Sequence, residues 1–177
     1  MKEAYRPTLQ QAIDNGDNDI AAAIRSNMRI VEAMPSYAFD INKFSCGNTH
    51  GDYMNSQFIW SGEEIKGVID WTCVCKHPYI WEVVRSYLFM APEVKQGEIN
   101  IESLIKYISN YMEIGRLNSY DIKNAGKLFY YFLAVCNFYG QYYDSLSKNR
   151  AVYLEQANMS SKLLVWFEKH LEELNER

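Results

Sequence analysis

The sequence predicts a mainly α-helical fold with one small β hairpin set among the helices. Three observations carry that prediction. Apolar residues recur at helical spacing through most of the chain, as in Ile20, Ala23, Ile24, Met28 and Val31. Two short β-type runs, Phe58-Ile59-Trp60 and Ile65-Lys66-Gly67-Val68-Ile69, flank the turn Ser61-Gly62-Glu63-Glu64 and read as a hairpin. No repeat, low-complexity tract or linker divides the 177 residues, so residues 1–177 are expected to form one domain.

The elements follow in order. Thr8 to Met34 reads as helix, interrupted at Asn15-Gly16-Asp17, where Asp17 or Asn18 is placed to cap a second segment. Pro35 stops that segment, because proline lacks the N–H that a helix needs. Pro35 to Asn48 looks irregular, and so does the loop after Trp71 that carries Cys73, Cys75, Lys76, His77 and Pro78. Helical patterning returns from Ile80 to Met90, and Pro92 ends it. Asn100 caps a helix to about Ile114, with Ile101, Leu104, Ile105, Ile108 and Met112 on one face. Gly115 or Asn118 closes it. Ser119 opens another helix to about Tyr139, and a last one runs from near Ser147 to Leu174.

Composition narrows the function classes. Apolar residues make up 48% of the chain, enough to offset the entropy of ordering, which excludes disorder as the main state. The net charge of -4 argues against nonspecific nucleic-acid binding, which calls for a basic face. No apolar run approaches the roughly 20 residues that span a bilayer, and Met1 to Pro7 lacks an apolar signal core. A cytoplasmic protein without membrane contact is the expectation. The four cysteines do not make a disulfide framework, and Cys73-Val74-Cys75 near His77 reads as buried or half-buried thiols rather than a metal site. The aromatic run through Phe129, Tyr130, Tyr131, Phe132, Phe138, Tyr139, Tyr142 and Tyr143 reads as core packing between helices. Glu168, Glu172, Glu173 and Glu176, interleaved with Lys169 and Arg177, read as a solvated helix face.

The chemistry gathers at the open end of the hairpin. His50-Gly51-Asp52 precedes it, Gln57 begins it and Asp70 follows it directly. A hairpin returns the chain on itself, so residues entering and leaving it are neighbours. Two carboxylates and an amide oxygen are hard donors suited to Mg²⁺, not to zinc. One carboxylate can hold the metal while the other accepts a proton from an attacking hydroxyl. The plain alternative for each Asp by itself is a turn former bonded to its own backbone.

The segment Thr49-His50-Gly51-Asp52-Tyr53-Met54-Asn55-Ser56-Gln57-Phe58-Ile59, followed by Gly67-Val68-Ile69-Asp70-Trp71, resembles the catalytic core of the aminoglycoside phosphotransferase family. That family includes choline-kinase-like and other small-molecule kinases of protein-kinase-like fold. Lys76 to Arg85 resembles the family's next segment, so the motif match covers about Thr49 to Met90. The resemblance implies the helical C-terminal lobe of such a phosphotransferase, with ATP and Mg²⁺ as cofactors and a small-molecule hydroxyl as acceptor. By position it implies Asp52 as the catalytic Asp and His50 as the scaffold of its loop. Asp70 and Gln57 are implied as metal ligands, and Glu82 stands where the family often has a structural Asp.

Some positions depart from the family pattern. Gln57 stands where the family has Asn, one methylene shorter, and His77 where it usually has Asp. The family's N-terminal lobe, with its strands, glycine-rich phosphate loop and Lys, is not legible in the 49 residues before His50. The chain therefore reads as the C-terminal lobe alone. Activity is expected to need a separately supplied N-terminal lobe or a homodimer, and an uncovered apolar patch is expected where such a lobe would dock. The alternatives are a catalytically inactive lobe acting as a binding or interaction module, or a nonfunctional remnant. The acceptor itself is not legible.

Overall fold

The structure, a computed structural model, describes residues 2–144 and 150–176. It is mostly helical with small antiparallel sheets, as the patterning predicts. The chain packs into two compact units, one of residues 1–37, 96–98 and 130–177, the other of residues 38–95 and 99–129.

The first unit is helical. Its elements are α1 (Arg6–Asp14), α2 (Asn18–Ala33), α6 (Phe138–Asp144), α7 (Arg150–Glu176) and the end of α5 (Ser119–Val135). The break between α1 and α2 falls at Asn15-Gly16-Asp17 as expected, with Gly16 at φ 74. Asp17 takes the N-cap position of α2, yet its side chain makes no cap bond and instead accepts from Tyr143 Oη at 2.7 Å. Of the stripe on α2, Ile24 and Val31 are buried, joined by Ala21 and Ile30 outside it, and α7 buries Leu163, Leu164 and Phe167. Asn27 of α2 donates to Ser161 Oγ of α7 at 2.7 Å within this packing. Tyr5 threads its hydroxyl to the carbonyls of Ala134 and Cys136, at 3.1 and 3.2 Å, where α5 ends.

One boundary differs from the sequence reading. The helix expected to run from Ser119 to Tyr139 stops at Val135. Asn137 accepts from Gly140 N at 3.0 Å and so caps α6, while its amide nitrogen donates to Thr8 Oγ1 at 2.7 Å. A side chain that satisfies backbone donors of the next helix competes with continuing the previous one. The expected start of the last helix near Ser147 lies outside the described residues. Of the aromatic run, Phe129, Tyr130, Phe138, Tyr139 and Tyr143 are buried, which bears out core packing. Glu168 is not simply solvated, because both its oxygens accept from Arg29 of α2, at 2.9 and 2.8 Å.

The second unit holds the strands. β1 (Cys46–Thr49) pairs antiparallel with β4 (Cys75–Pro78), and β2 (Phe58–Ser61) with β3 (Glu64–Val68). The hairpin is where the sequence places it, turning at Gly62 (φ 61), with an irregularity between Ile59 and Trp60. The β1–β4 ladder is the correction. Its strands fall in the two segments expected to be irregular. Each is four residues long, without alternation, and the ladder joins residues some thirty apart, so no local pattern announces it. It closes beneath the hairpin and leads straight into α3 (Tyr79–Met90). Gly47 is needed here: a Cβ would overlap the Tyr79 ring, 1.8 Å from its hydroxyl oxygen. α4 (Ile101–Met112) starts from the expected cap, with Asn100 Oδ1 accepting from Ser103 N at 2.9 Å. Asn118 accepts from Tyr120 N and Asp121 N at the start of α5, and fully buried Asp121 accepts from Ser45 N at 3.0 Å.

Leu163→Ala is expected to cost about 2–5 kcal/mol, because the site is fully buried in the α2–α7 packing and has no solvent to collapse toward. A lower urea midpoint at unchanged slope is the measurement that checks it.

Candidate active site

The loop between β1 and the hairpin is held from behind by one carboxylate. Glu82, in the first turn of α3, accepts from His50 N at 2.8 Å and from Gly51 N at 2.5 Å. The β1–β4 ladder sets up this reach: β4 ends at Pro78 opposite Cys46, the start of β1, and α3 begins there, with Tyr79 N donating to Ser45 O at 2.9 Å, before its first turn carries Glu82 to the loop beyond Thr49. Gly51 sits at φ 79, a conformation that side-chain-bearing residues rarely adopt, and a Cβ there would lie 2.2 Å from the Cys73 carbonyl oxygen. The loop thus lies flat against the segment that follows the hairpin.

His50 is 3% exposed and bridges the two ends of the hairpin. Its Nε2 lies 2.8 Å from the Ile69 carbonyl, and its Nδ1 lies 3.3 Å from Asp52 N. A carbonyl only accepts and an amide N–H only donates. The neutral ring with its proton on Nε2 is therefore the form that fits both contacts. Trp71 packs on this ring at 4.8 Å between centroids and donates its indole N–H to Val68 O at 3.0 Å. Trp81 is buried and stacks on His77 at 4.7 Å.

The Asp52 carboxylate has two partners. Gln57 Nε2 donates to Oδ2 at 3.1 Å, and Arg85 Nη2 donates to Oδ1. Gln57 also extends the hairpin ladder by one bond, its carbonyl accepting from Ile69 N at 2.9 Å. Asp52 and Gln57 are thus in direct contact. Asp70 is brought to them through the backbone of its neighbour, Ile69, which both His50 and Gln57 hold. The Asp70 side chain itself is exposed and accepts from Thr72 Oγ1 at 2.5 Å. Its backbone adopts φ 60, ψ 61, a left-handed conformation that Asp tolerates better than most residues.

Arg85 is the residue that reading the sequence missed. It is 7% exposed, lies over the Phe89 ring at 4.6 Å, and its Nη1 has no hydrogen-bond partner among the described residues. A signal was present. Glu82 and Arg85 are the only charges in the helix Tyr79–Met90, three residues apart and therefore on one face. Charges at that spacing in an otherwise apolar helix face something polar. The thiols also differ from expectation: Cys73 and Cys75 are exposed, not buried.

Among the described residues no group of three or more His, Cys, Asp or Glu side chains is arranged to hold a metal ion. The oxygen donors at hand are the Asp70 carboxylate and Gln57 Oε1, the latter left over once Nε2 donates to Asp52. Two such oxygens match the chemistry of Mg²⁺, which keeps several waters and takes phosphate oxygens as its remaining ligands. Ile59, Trp60, Ile65, Ile69, Trp71 and Val74 leave a large exposed apolar surface along the hairpin and the turn after it.

The hairpin's open end thus carries a glycine-bent acidic loop clamped by a helix carboxylate. Residues 4–112 match the phosphotransferase enzyme family, and the chain belongs to that family. The match runs from α1 through α4, well beyond the motifs at Thr49 to Met90. No curated protein and no solved structure matches the chain. Among the described residues, no helix is long and apolar enough to cross a membrane.

Glu82→Gln keeps the shape but leaves one of the two loop N–H groups facing the amide nitrogen, which donates and does not accept. We expect it to lower stability by about 1–3 kcal/mol. Hydrogen exchange is expected to quicken selectively at His50 and Gly51; unchanged protection there would contradict the clamp.

Proposed function

We propose that this chain carries the catalytic loop of an ATP- and Mg²⁺-dependent transferase that moves a phosphoryl group to a hydroxyl of a small molecule. The observation that supports this reading is the join at the hairpin's open end. The Asp52 carboxylate is oriented by Gln57, and Gln57 is itself laddered to the residue before Asp70. An acid that must accept a proton and an acid that must face phosphate thereby stem from one rigid ribbon end.

In this reading Asp52 hydrogen-bonds the acceptor hydroxyl and takes its proton as the new O–P bond forms and the bond to the nucleotide's leaving phosphate breaks. Its side chain is 33% exposed, so a lone pair remains within reach of a substrate even with Arg85 and Gln57 in place. His50 does not touch substrate; it sets the loop's path by linking Asp52 N to Ile69 O. Asp70 and Gln57 Oε1 would hold the cation, whose contribution when bound is to neutralise phosphate charge. Such transfer depends on positioning and charge stabilisation, so the nucleotide has to be gripped from its other side as well. We assign that grip to a nucleotide-binding lobe outside these 177 residues, or to a second copy of this chain. A second reading, an inactive lobe that acts as an interaction module, draws on the apolar side chains exposed from Ile59 to Val74.

Titration calorimetry with MgATP, followed by transfer assays on aminoglycosides, choline-like alcohols and sugars, separates the two. The transferase reading expects saturable heat and a product whose formation falls by about 10²–10⁴-fold in Asp52→Asn. Asp70→Asn tolerates the same left-handed backbone, so it is expected to fold normally while shifting activity to higher Mg²⁺. Absence of nucleotide binding at about millimolar concentration, well above ordinary working affinities, would favour the interaction module.

A further inference from the structure

The first unit holds a cleft of its own. Its volume is about 460 Å³, within the range of small-molecule sites, and every residue that lines it belongs to that unit. Two helix faces and one turn form it. On α2 the lining residues are Ala23, Ser26 and Asn27, at the spacing that puts side chains on one face. On α7 the lining includes Lys162, Val165, Trp166, Lys169 and His170, again at the spacing of one helix face. Gly97 and Glu98 supply the third side. Gly97 has φ 86, and a Cβ there would lie 2.6 Å from Lys162 Cβ, so the stem of Lys162 rests against bare backbone.

The polar groups of this cleft are short of partners. Asn27 is 6% exposed, and its Nδ2 donates to Oγ of Ser161, which also lines the cleft. Its Oδ1 has no hydrogen-bond partner among the described residues. A buried carbonyl oxygen in that state calls for a donor. Lys162, Lys169 and Glu98 are exposed, and none of them forms an ion pair among the described residues. His170 is already engaged, stacked on buried Trp166 at 4.6 Å, with its Nδ1 3.6 Å from Glu173. The cleft therefore offers two ammonium groups, one carboxylate and one amide oxygen, beside the apolar surface of Val165 and Trp166.

We propose that this cleft binds a small polyhydroxylated organic anion, a sugar phosphate or a sugar acid, at a site separate from Asp52 and Asp70. The excess of positive charge calls for an anionic group, which Lys162 and Lys169 take with charge-assisted hydrogen bonds. Asn27 Oδ1 and the Glu98 carboxylate are acceptors only, so the same ligand must bring donors, and hydroxyl groups supply them. Val165 and Trp166 take the carbon skeleton. A bare inorganic anion meets the lysines and leaves Asn27 unanswered. A neutral sugar does the reverse. The site stands on the first unit by itself, and nothing in it depends on the transferase reading.

The test is calorimetry on the full chain, without Mg²⁺ or nucleotide, using glucose 6-phosphate, gluconate, glucose and inorganic phosphate as probes. Glucose 6-phosphate, gluconate or both are expected to give saturable heat at about millimolar concentration or below, and the stronger of the two identifies the anionic group. Glucose and inorganic phosphate are expected to bind about tenfold more weakly or not at all. The double variant Lys162→Ala, Lys169→Ala removes only exposed side chains, so it is expected to keep its melting temperature and lose about tenfold in affinity. Ser26→Leu, which fills the α2 side, is expected to abolish binding. Amide shifts on adding the probe are expected at residues 97–98 and 161–170. No saturable heat from either anion up to about 10 mM, inorganic phosphate binding as well as both, or an affinity indifferent to the two lysines would overturn the proposal. So would binding that survives Ser26→Leu and is lost in Asp70→Asn, which would place the ligand at the proposed active site. A chain without transfer activity would overturn the transferase reading alone, since binding here is read without nucleotide.

Discussion

The second unit is organised around a single carboxylate. Glu82 takes two consecutive backbone N–H groups, those of His50 and Gly51, and they have no strand or helix to satisfy them. A tight loop with unsatisfied donors is costly when buried, and His50 is almost fully buried. A carboxylate accepting from both is a charge-assisted pair of bonds, stronger than neutral ones. Around this point the β1–β4 ladder, the start of α3 and the path of the loop toward the hairpin become mutually dependent. The family's usual residue in this region is one carbon shorter; the longer Glu still reaches.

From that clamp the arrangement propagates by direction as well as by distance. His50 donates from one ring nitrogen and accepts on the other, so the loop and the strand exit are joined by a bridge with a defined polarity. Gln57 uses one end of its amide, giving its N–H to Asp52, and that bond leaves its oxygen unused. The backbone carbonyl of Gln57 then meets Ile69 N, which fixes where Asp70 emerges. Positioning of this kind is what phosphoryl transfer demands, because little else in that chemistry is supplied by the protein.

Much of this was legible in the sequence, and the reasons are physical. The hairpin, the Asn100 cap and the break at Asn15-Gly16-Asp17 each rest on local chemistry, which one segment can display by itself. His50, Asp52, Gln57 and Asp70 stand out in the sequence because a hairpin constrains its own ends and because the segment resembles a phosphotransferase loop. What escaped notice was non-local or contrary to pattern. The β1–β4 ladder joins short strands that have no alternation, one of them ending in proline. The stop at Val135 comes from Asn137 reaching both α6 and Thr8, and no helical periodicity records such a contact. Arg85 was overlooked because attention went to the motif residues, although a lone cation on an apolar helix is itself a sign of a buried partner.

That cation has an implication for how such a chain can change over generations. Nη1 of the Arg85 guanidinium has no partner among the described residues, and Nη2 donates to Asp52. Discarding the acid would strand a sequestered positive charge, which proteins tolerate badly. Discarding the cation would free the acid to swing. Positions 52 and 85, thirty-three residues apart in the chain, are thus energetically coupled, so that a change at either one alters the cost of keeping the other.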